Sequence, residues 1–160
     1  MKSTIVSFYT ALSKQDGEKM ASICHDDIIF QDPVFGVLKG EQARNMWRML
    51  CESQKNKSFQ INLGKMECYE DTAEVRWEAK YNYGKNARRV HNKIVAHIEF
   101  KDGLIYRHHD HFHLWRWSVQ AFGFKGFLFG WTPFFQKTVQ NRTKKLLEKF
   151  ANRYEENGLR

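Results

Sequence analysis

The feature that most constrains the fold of this chain is a pair of stretches in which apolar and polar residues alternate. Every second side chain is apolar or aromatic in EVRWEAKYNY, residues 74–83, and the alternation resumes over residues 90–100. A period of two is typical of an antiparallel strand with one buried face. Gly84-Lys85-Asn86 separates the two stretches and predicts a turn. The sequence therefore predicts a long hairpin in a half-buried sheet.

Two more strands are predicted ahead of this hairpin. The apolar series on residues 59–63 continues on residues 66–68 one residue out of phase, and Gly64 lies at the change. Glycine at such a change predicts a β-bulge, which inserts one extra residue into a strand. A short strand is predicted at 28–32, where Pro33 ends it because proline donates no ladder hydrogen bond.

Apolar spacing of the helical period predicts helices around these strands. The helical segments are Ile5–Leu12, Met20–Ile23, Ala43–Leu50 and Phe135–Tyr154. Ser3 is predicted to cap the first helix, residues 33–40 to form a loop before the third, and Thr132-Pro133 to begin the last. This order predicts an α+β fold, in which a cone-shaped, curved antiparallel sheet packs against N-terminal helices and a C-terminal helix is added.

A histidine-rich stretch, YRHHDHFHLWRWSVQ at 106–120, follows a turn signal at Asp102-Gly103. A two-residue turn would pair Phe100 with Ile105 and bury a row of basic groups. A three-residue loop would instead pair Phe100 with Leu104, and we expect this loop because it buries fewer polar groups. The side chains then predicted to face inward are Leu104, Tyr106, His108, Asp110, Phe112 and Leu114.

Length and composition indicate one globular domain. The chain has 160 residues, of which 42% are hydrophobic, enough for one core. We predict a single domain over 1–160, with a core at about 3–123 and an aromatic, basic helical extension at about 124–160. The N-terminus turns polar too soon for a signal peptide, so a cytoplasmic location is expected. The three cysteines fit no metal spacing and are predicted to be reduced thiols.

Positive charge is concentrated in the C-terminal arm. From Arg116 onward there are nine Lys/Arg and three Glu, within a net charge of +8. No nucleic-acid motif accompanies this charge, so no nucleic-acid partner is predicted. The run FGFKGFLFGW followed by a basic helix has the composition of an interfacial segment. Residues 122–154 are therefore candidates for a weak membrane-surface contact, for a cover over the cone mouth, or for a dimer interface.

The predicted order of helices and strands, together with three sequence motifs, resembles the nuclear transport factor 2-like superfamily. The resemblance is to its SnoaL-like polyketide cyclase and ketosteroid isomerase-related branch. The motifs are FYTALSKQDGEKMASICHDDIIFQDPVFG at 8–36, LKGEQA at 38–43 and HHDHFHLWRWSVQAFG at 108–123. The resemblance covers about residues 3–123. It implies a cone with a mainly apolar pocket and a homodimer formed through the sheet.

The resemblance also implies roles for individual residues. Asp32 matches the general base of the ketosteroid isomerases, and burial in an apolar cone suits that role because it raises a carboxyl pKa. Asp110 matches the acid/base of the SnoaL-like cyclases, with His108 two residues earlier on the same face. The two hydrogen-bond donors of the isomerases are not carried over, since Phe8 and Ala96 occupy their positions.

The sequence thus predicts a protein that binds a small hydrophobic molecule. Asp32, Asp110 and His108 are the candidate catalytic residues. The predicted ligand-binding residues are Phe8, Tyr9, Trp47, Trp77, Tyr106 and Phe112. An enzyme of this type would be a cofactor-independent isomerase, cyclase, dehydratase or epoxide hydrolase, and the alternative is a non-enzymatic lipophile-binding or membrane-surface module. No cofactor or metal is predicted, although the alternating row His109, His111 and His113 is the pattern of a metal site.

Overall fold

The computed structural model of the protein describes residues 1–156 and 158. Within them the elements are α1 (Lys2–Ser13), α2 (Gly17–Ile23), β1 (Cys24–Asp32), β2 (Gly36–Lys39), α3 (Glu41–Gln54), β3 (Phe59–Cys68), β4 (Thr72–Tyr83), β5 (Arg88–Lys101), β6 (Leu104–His111), α4 (Leu114–Phe122), α5 (Phe124–Phe129) and α6 (Pro133–Glu156). The strands form one curved, unclosed sheet in the order β2-β1-β6-β5-β4-β3. This confirms the predicted α+β cone. Neighbouring strands of the sheet are antiparallel, except that β1 and β6 run parallel to each other.

The N-terminal helices bury the inner face of the sheet. Phe8 of α1 and Trp47 of α3 meet edge to face, with ring centroids 5.2 Å apart, and Phe30 of β1 lies 5.1 Å from Trp47. All three side chains are at most 2% exposed. Burial of each large apolar side chain contributes about 1.5–3 kcal/mol, so this cluster fixes the helices on the sheet.

Two local predictions near the N-terminus are wrong. Helix α1 begins at Lys2 with Met1 at the N-cap, so Ser3 lies within the first turn and caps nothing. The predicted loop at 33–40 contains strand β2, which pairs with β1. Gly36 permits this reversal because its φ of 71° lies in the left-handed region that favours glycine.

The central strands follow the sequence prediction closely. Strands β4 and β5 pair continuously from Thr72↔Glu99 to Tyr83↔Arg88. The bulge at Gly64 is confirmed, because the register of β3 on β4 shifts by one residue between Leu63 and Met66. A Cβ on Gly64 would lie 2.9 Å from the Arg76 carbonyl oxygen, so a larger residue would push the strands apart.

The turn between β5 and β6 differs from the prediction. Asp102 and Gly103 form a two-residue turn with φ of 53° and 78°, and Phe100 pairs with Ile105 rather than Leu104. The register then shifts, so that Glu99 pairs with Arg107 and one extra residue, Tyr106, is accommodated in β6. The inward residues are therefore Ile105, His108 and Asp110. The predicted loop is wrong, but His108 and Asp110 face the interior as expected.

The C-terminal arm folds back over the open end of the sheet. Thr132 caps α6 as predicted, because its hydroxyl accepts the Phe135 N–H at 3.2 Å. Phe122, at the end of α4, packs edge to face on both Tyr83 and Phe135. Helices α4 and α6 are therefore joined to the sheet through one aromatic cluster.

Candidate functional site

A cavity of about 640 Å³ lies between the inner face of the sheet, α3 and α6. Its volume is in the range of small-molecule sites. Most of its wall is apolar, and the aromatic side chains that line it include Phe30, Trp47, Trp77, Tyr81, Phe112 and Trp117. Two carboxyl groups, those of Asp32 and Asp110, reach the same space.

Asp32 is the last residue of β1, at the point where Pro33 ends the strand. Its Oδ1 accepts the backbone N–H of Val34 at 2.9 Å and also that of Phe35. Burial raises the pKa of Asp32 to about 7. The Phe35 amide opposes this rise, whereas the nearby Asp110 charge adds to it. The carboxyl group can therefore take up or release a proton near neutral pH.

Helix α6 holds the loop on which Asp32 depends. The Thr143 hydroxyl lies 2.9 Å from the Val34 carbonyl oxygen, and Gln140 Nε2 donates to the Pro33 carbonyl at 3.1 Å. Thr143 is 8% exposed. The C-terminal extension therefore fixes the backbone whose N–H groups bind Asp32.

Asp110 enters the cavity from β6 and is 4% exposed. Its Oδ1 accepts the indole N–H of Trp77 at 3.2 Å and lies 3.0 Å from His108 Nε2. Both partners reach the same oxygen. Within the part of the chain that the structure describes, no protein group is hydrogen-bonded to Oδ2 of Asp110, so this oxygen is the one left for a ligand.

His108 lies behind Asp110 rather than in the cavity wall. Its ring is 1% exposed and packs against Phe8, Phe30 and Trp47, with centroids 5.4–5.7 Å away. Nδ1 is buried without a partner, so the tautomer protonated on Nε2 is the one that donates to Asp110. His108 is thus placed to position Asp110, and its role as a candidate catalytic residue stays a prediction.

The predicted ligand-binding residues fall into two groups. Trp47, Trp77 and Phe112 line the cavity. Phe8, Tyr9 and Tyr106 are not part of its wall. Phe8 and Tyr9 are core residues, 0% and 2% exposed. Tyr106 lies at the bulge, where its ring contacts His25 and the cations of Lys101 and Arg107.

Many residues of the cavity wall were not predicted from the sequence, among them Asn92, Tyr81 and Trp117. Asn92 is 8% exposed and lies in the wall beside its strand partner Ala79. The Tyr81 hydroxyl accepts the Trp117 indole N–H at 2.8 Å, which leaves its own proton for a ligand. Asn92 could have been found from its position, because Val90, Asn92 and Ile94 are alternate residues of β5 and therefore point to the same, inner face of the sheet.

The mouth of the cavity is positively charged. Lys57, Arg142, Lys149 and Arg153 line it, together with Glu52. Arg153 and Glu52 form an ion pair at 2.6 Å. Among the residues with described positions, Lys57, Arg142 and Lys149 have no acidic partner within 4.0 Å.

The row of histidines lies on the outer face of the sheet. The rings of His109 and His111 are tilted against each other with centroids 3.7 Å apart, and the ring of His97 on β5 is 5.2 Å from that of His111. His113 is outside this group, because it caps α4. Over residues 1–156 and 158, no three His, Cys, Asp or Glu side chains are arranged to hold a metal ion. Burial and the neighbouring histidines lower the pKa of His109.

The protein combines a cone-shaped α+β fold with an apolar cavity that contains two carboxyl groups. These two features describe the class of protein to which it belongs. The family profile of the SnoaL-like domain matches residues 5–108. The chain belongs to the SnoaL-like domain family, within the nuclear transport factor 2-like superfamily. A comparison with curated proteins finds no match. None of the described helices combines the length and the apolar character needed to cross a membrane.

Solved structures share the fold at low sequence identity. A hypothetical protein with a ketosteroid isomerase-like fold from Catenulispora acidiphila, in complex with trimethylamine, has a TM-score of 0.64 at 11% identity, covering 81% of this chain and 97% of that chain. The epoxide hydrolase/cyclase-like enzyme SalBIII of salinomycin pyran-ring formation gives 0.61 at 17%, covering 71% and 90%. An LEH-like epoxide hydrolase from M. tuberculosis gives 0.60 at 20%, covering 79% and 88%.

Proposed function

We propose that the protein binds a small hydrophobic molecule in the cavity and catalyses a cofactor-independent proton transfer on it. The observation that carries this proposal is the pair of carboxyl groups in one apolar cavity, held in different environments. Asp32 has a pKa near 7, and Asp110 is bound by two donors. Pairs of acids whose surroundings differ in this way can divide the roles of base and acid.

The chemistry follows from the position of the two acids. As a carboxylate, Asp32 removes a proton from a carbon beside a carbonyl or from an attacking water, and it returns that proton after the bond change. Asp110 presents Oδ2 to the same molecule, while Trp77 and His108 hold its other oxygen. Isomerisation, cyclisation and epoxide opening all require this kind of transfer. Enzymes named for two of these reactions are among the similar folds.

The cations at the mouth suggest how the ligand is oriented. Arg142, Lys149 and Lys57 surround the opening, whereas the aromatic groups and the two acids lie deeper. A hydrophobic molecule with a carboxylate or another anionic end would place that end at the mouth. We therefore include lipophilic acids in the proposed ligand class.

Binding without turnover is the second candidate function. It is favoured by Phe8 and Ala96, which are both fully buried and stand where the resemblance to ketosteroid isomerases would place hydrogen-bond donors. Donors directed at developing negative charge contribute much of the catalysis in such enzymes. A carrier would need only the cavity and its apolar wall.

Native mass spectrometry of the purified protein tests the first part of the proposal. We expect an organic ligand that leaves under denaturing conditions, and a cavity that never retains or accepts a hydrophobic molecule would contradict it. The bound compound, and analogues with a methyl ester in place of a carboxylate, are then incubated with the protein and followed by chromatography.

Substitution of the acids distinguishes the enzyme from the carrier. Asp32→Asn and Asp110→Asn should keep the ligand and reduce turnover by about 100-fold or more, because each removes a proton-transfer group. Asp27→Asn is the matched control, since the Asp27 side chain is 79% exposed and distant from the cavity wall. Binding by all variants with no conversion by the wild type would identify a carrier.

A further inference from the structure

The outer surface of the C-terminal arm exposes an unusual amount of apolar area. Six of the eleven large exposed hydrophobic side chains of the described chain occur within residues 124–134. They are Phe124 (74% exposed), Phe127 (51%), Leu128 (42%), Phe129 (54%), Trp131 (71%) and Phe134 (83%). We call these six side chains the aromatic surface. A contiguous apolar surface of this kind marks an interaction site.

The arm is packed so that the aromatic surface has to face outward. On its inner side, Gly126 lies so close to α4 that a Cβ would be 1.9 Å from the Ser118 carbonyl oxygen. The Trp115 indole N–H donates to the Phe127 carbonyl at 3.1 Å. Phe122 lines the cavity and packs edge to face on Tyr83 and Phe135. The inner side is therefore occupied, and the aromatic surface has no place in the core.

The stretch of chain that carries the aromatic surface contains only positive charges. Between Asp110 and Glu148 the chain contains six Lys/Arg and no Asp or Glu. These cations are Arg116, Lys125, Lys137, Arg142, Lys144 and Lys145, and all are exposed. None has an acidic partner in the part of the chain with described positions. The partner that complements this region is both apolar and anionic.

We infer that the aromatic surface docks on an anionic phospholipid bilayer. Phenylalanine and leucine side chains would enter the boundary between headgroups and acyl chains, Trp131 would lie at the headgroup level, and the cations of the arm other than Arg142, which lines the cavity mouth, would be available to lipid phosphates. A second copy of the same arm fits less well, because it would bring two uncompensated basic surfaces together. Since Phe122 and Val139 of the same arm line the cavity, docking would bring a wall of the ligand cavity to the lipid. The inference itself is independent of whether the protein has catalytic activity.

Co-sedimentation with vesicles tests this inference directly. The full chain should sediment with vesicles of equimolar phosphatidylcholine and phosphatidylglycerol and much less with phosphatidylcholine alone. Raising the ionic strength from about 0.1 M to about 1 M should weaken binding, because it shortens the Debye length from about 10 Å to about 3 Å. Failure of the wild type to bind the anionic vesicles would overturn the inference.

Tryptophan fluorescence shows which surface makes the contact. Trp47, Trp77 and Trp117 are at most 7% exposed. Trp115 is half-buried, with its indole N–H already bound to the Phe127 carbonyl, whereas Trp131 is 71% exposed. Anionic vesicles should therefore shift the emission of the wild type to shorter wavelength by moving Trp131 into a less polar environment. The variant Trp131→Phe should still sediment but lose most of the shift. An unchanged shift in this variant would place the contact elsewhere and overturn the inference.

A triple variant removes the aromatic surface. Phe124→Ser, Trp131→Ser and Phe134→Ser together change only strongly exposed side chains, so the fold should be kept, and vesicle affinity should fall by about tenfold or more. The control combines Val37→Ser and Tyr69→Ser, which are exposed on β2 and after β3, and it should bind like the wild type. Wild-type affinity in the triple variant would contradict the inference.

Two further measurements distinguish bilayer docking from dimerisation and from catalysis. Light scattering of the wild type and the triple variant would reveal a dimer that depends on the aromatic surface, and such a dimer would assign the surface to a second copy and overturn bilayer docking. Asp32→Asn should bind vesicles like the wild type, because the Asp32 side chain lies in the cavity and is not part of the aromatic surface. Failure of the proposed catalysis would thus leave vesicle binding intact.

Discussion

Asp32 shows how one side chain links the site to the stability of the fold. Burial raises its pKa from 3.8 to about 7, so the folded protein binds this proton more tightly than the unfolded chain does. Binding of this proton stabilises the folded state, and the stabilisation is fully present below the pKa that Asp32 has in the unfolded chain. It is lost as pH rises toward 7, because the folded state must then hold a buried carboxylate.

The variant Asp32→Asn removes this cost and retains an oxygen that can accept the Val34 and Phe35 amides. We expect the variant to be more stable than the wild type by roughly 1–4 kcal/mol at about pH 8.5, with the difference fading toward about pH 4. Urea denaturation at both pH values measures it. The exposed Asp27→Asn change should have no such pH dependence, and a uniform effect of Asp32→Asn at both values would contradict the assigned pKa.

The sequence identified some residues of the site and missed others for a physical reason. Asp32 and Asp110 were identified because the motifs around them, QDPVFG and HHDHFH, resemble those of the family. Alternation gives the face of a strand but not the position along it. It also misses a register shift: Tyr106 was expected in the cavity, but it is the extra residue of β6 and lies outside the inward set of Ile105, His108 and Asp110. Asn92 was overlooked because it is polar, although it has the inward phase.

At the level of elements, the contact between α4 and α5 depends on a glycine. Gly126→Ala would place a methyl group against the Ser118 carbonyl oxygen, and the two helices would have to separate. We expect a loss of about 1–3 kcal/mol in the free energy of unfolding and weaker vesicle binding. Denaturation of this variant and of Lys125→Ala, which should change stability by less than about 0.5 kcal/mol, measures the effect. Equal stability of the two variants would contradict the close packing.

Long periodic elements were predictable and short ones were not. Helix α3 and the β4–β5 hairpin each extend over many residues, so their patterns are unambiguous. Strand β2 has four residues and α5 has six, and each depends on contacts with distant parts of the chain. The contact of Thr143 with Val34 joins residues 109 positions apart, and no local pattern predicts such a contact.

At the level of the whole molecule, the outer face of the sheet remains the predicted homodimer interface. The cluster of His97, His109 and His111 lies on that face. Burial and the neighbouring histidines lower the pKa of His109, so this imidazole is neutral at neutral pH and its protonation in acid would charge the interface. We therefore expect a dimer near neutral pH that weakens as pH falls through the lowered pKa of His109. Light scattering across a series of decreasing pH values measures it, and the variant His109→Gln should resist the change. A monomer at neutral pH, or a dimer that the aromatic triple variant loses, would contradict the sheet interface.

The extra residue in β6 affects which parts of the sequence can vary during evolution. The turn at Asp102-Gly103 orients Ile105, whereas the shift at Tyr106 separately orients His108 and Asp110. Because the two adjustments are made at different places, the tip of the hairpin can be altered or even replaced without turning Asp110 out of the cavity. The orientation of Asp110 is thereby independent of sequence changes in the Asp102-Gly103 turn, and the turn itself can vary.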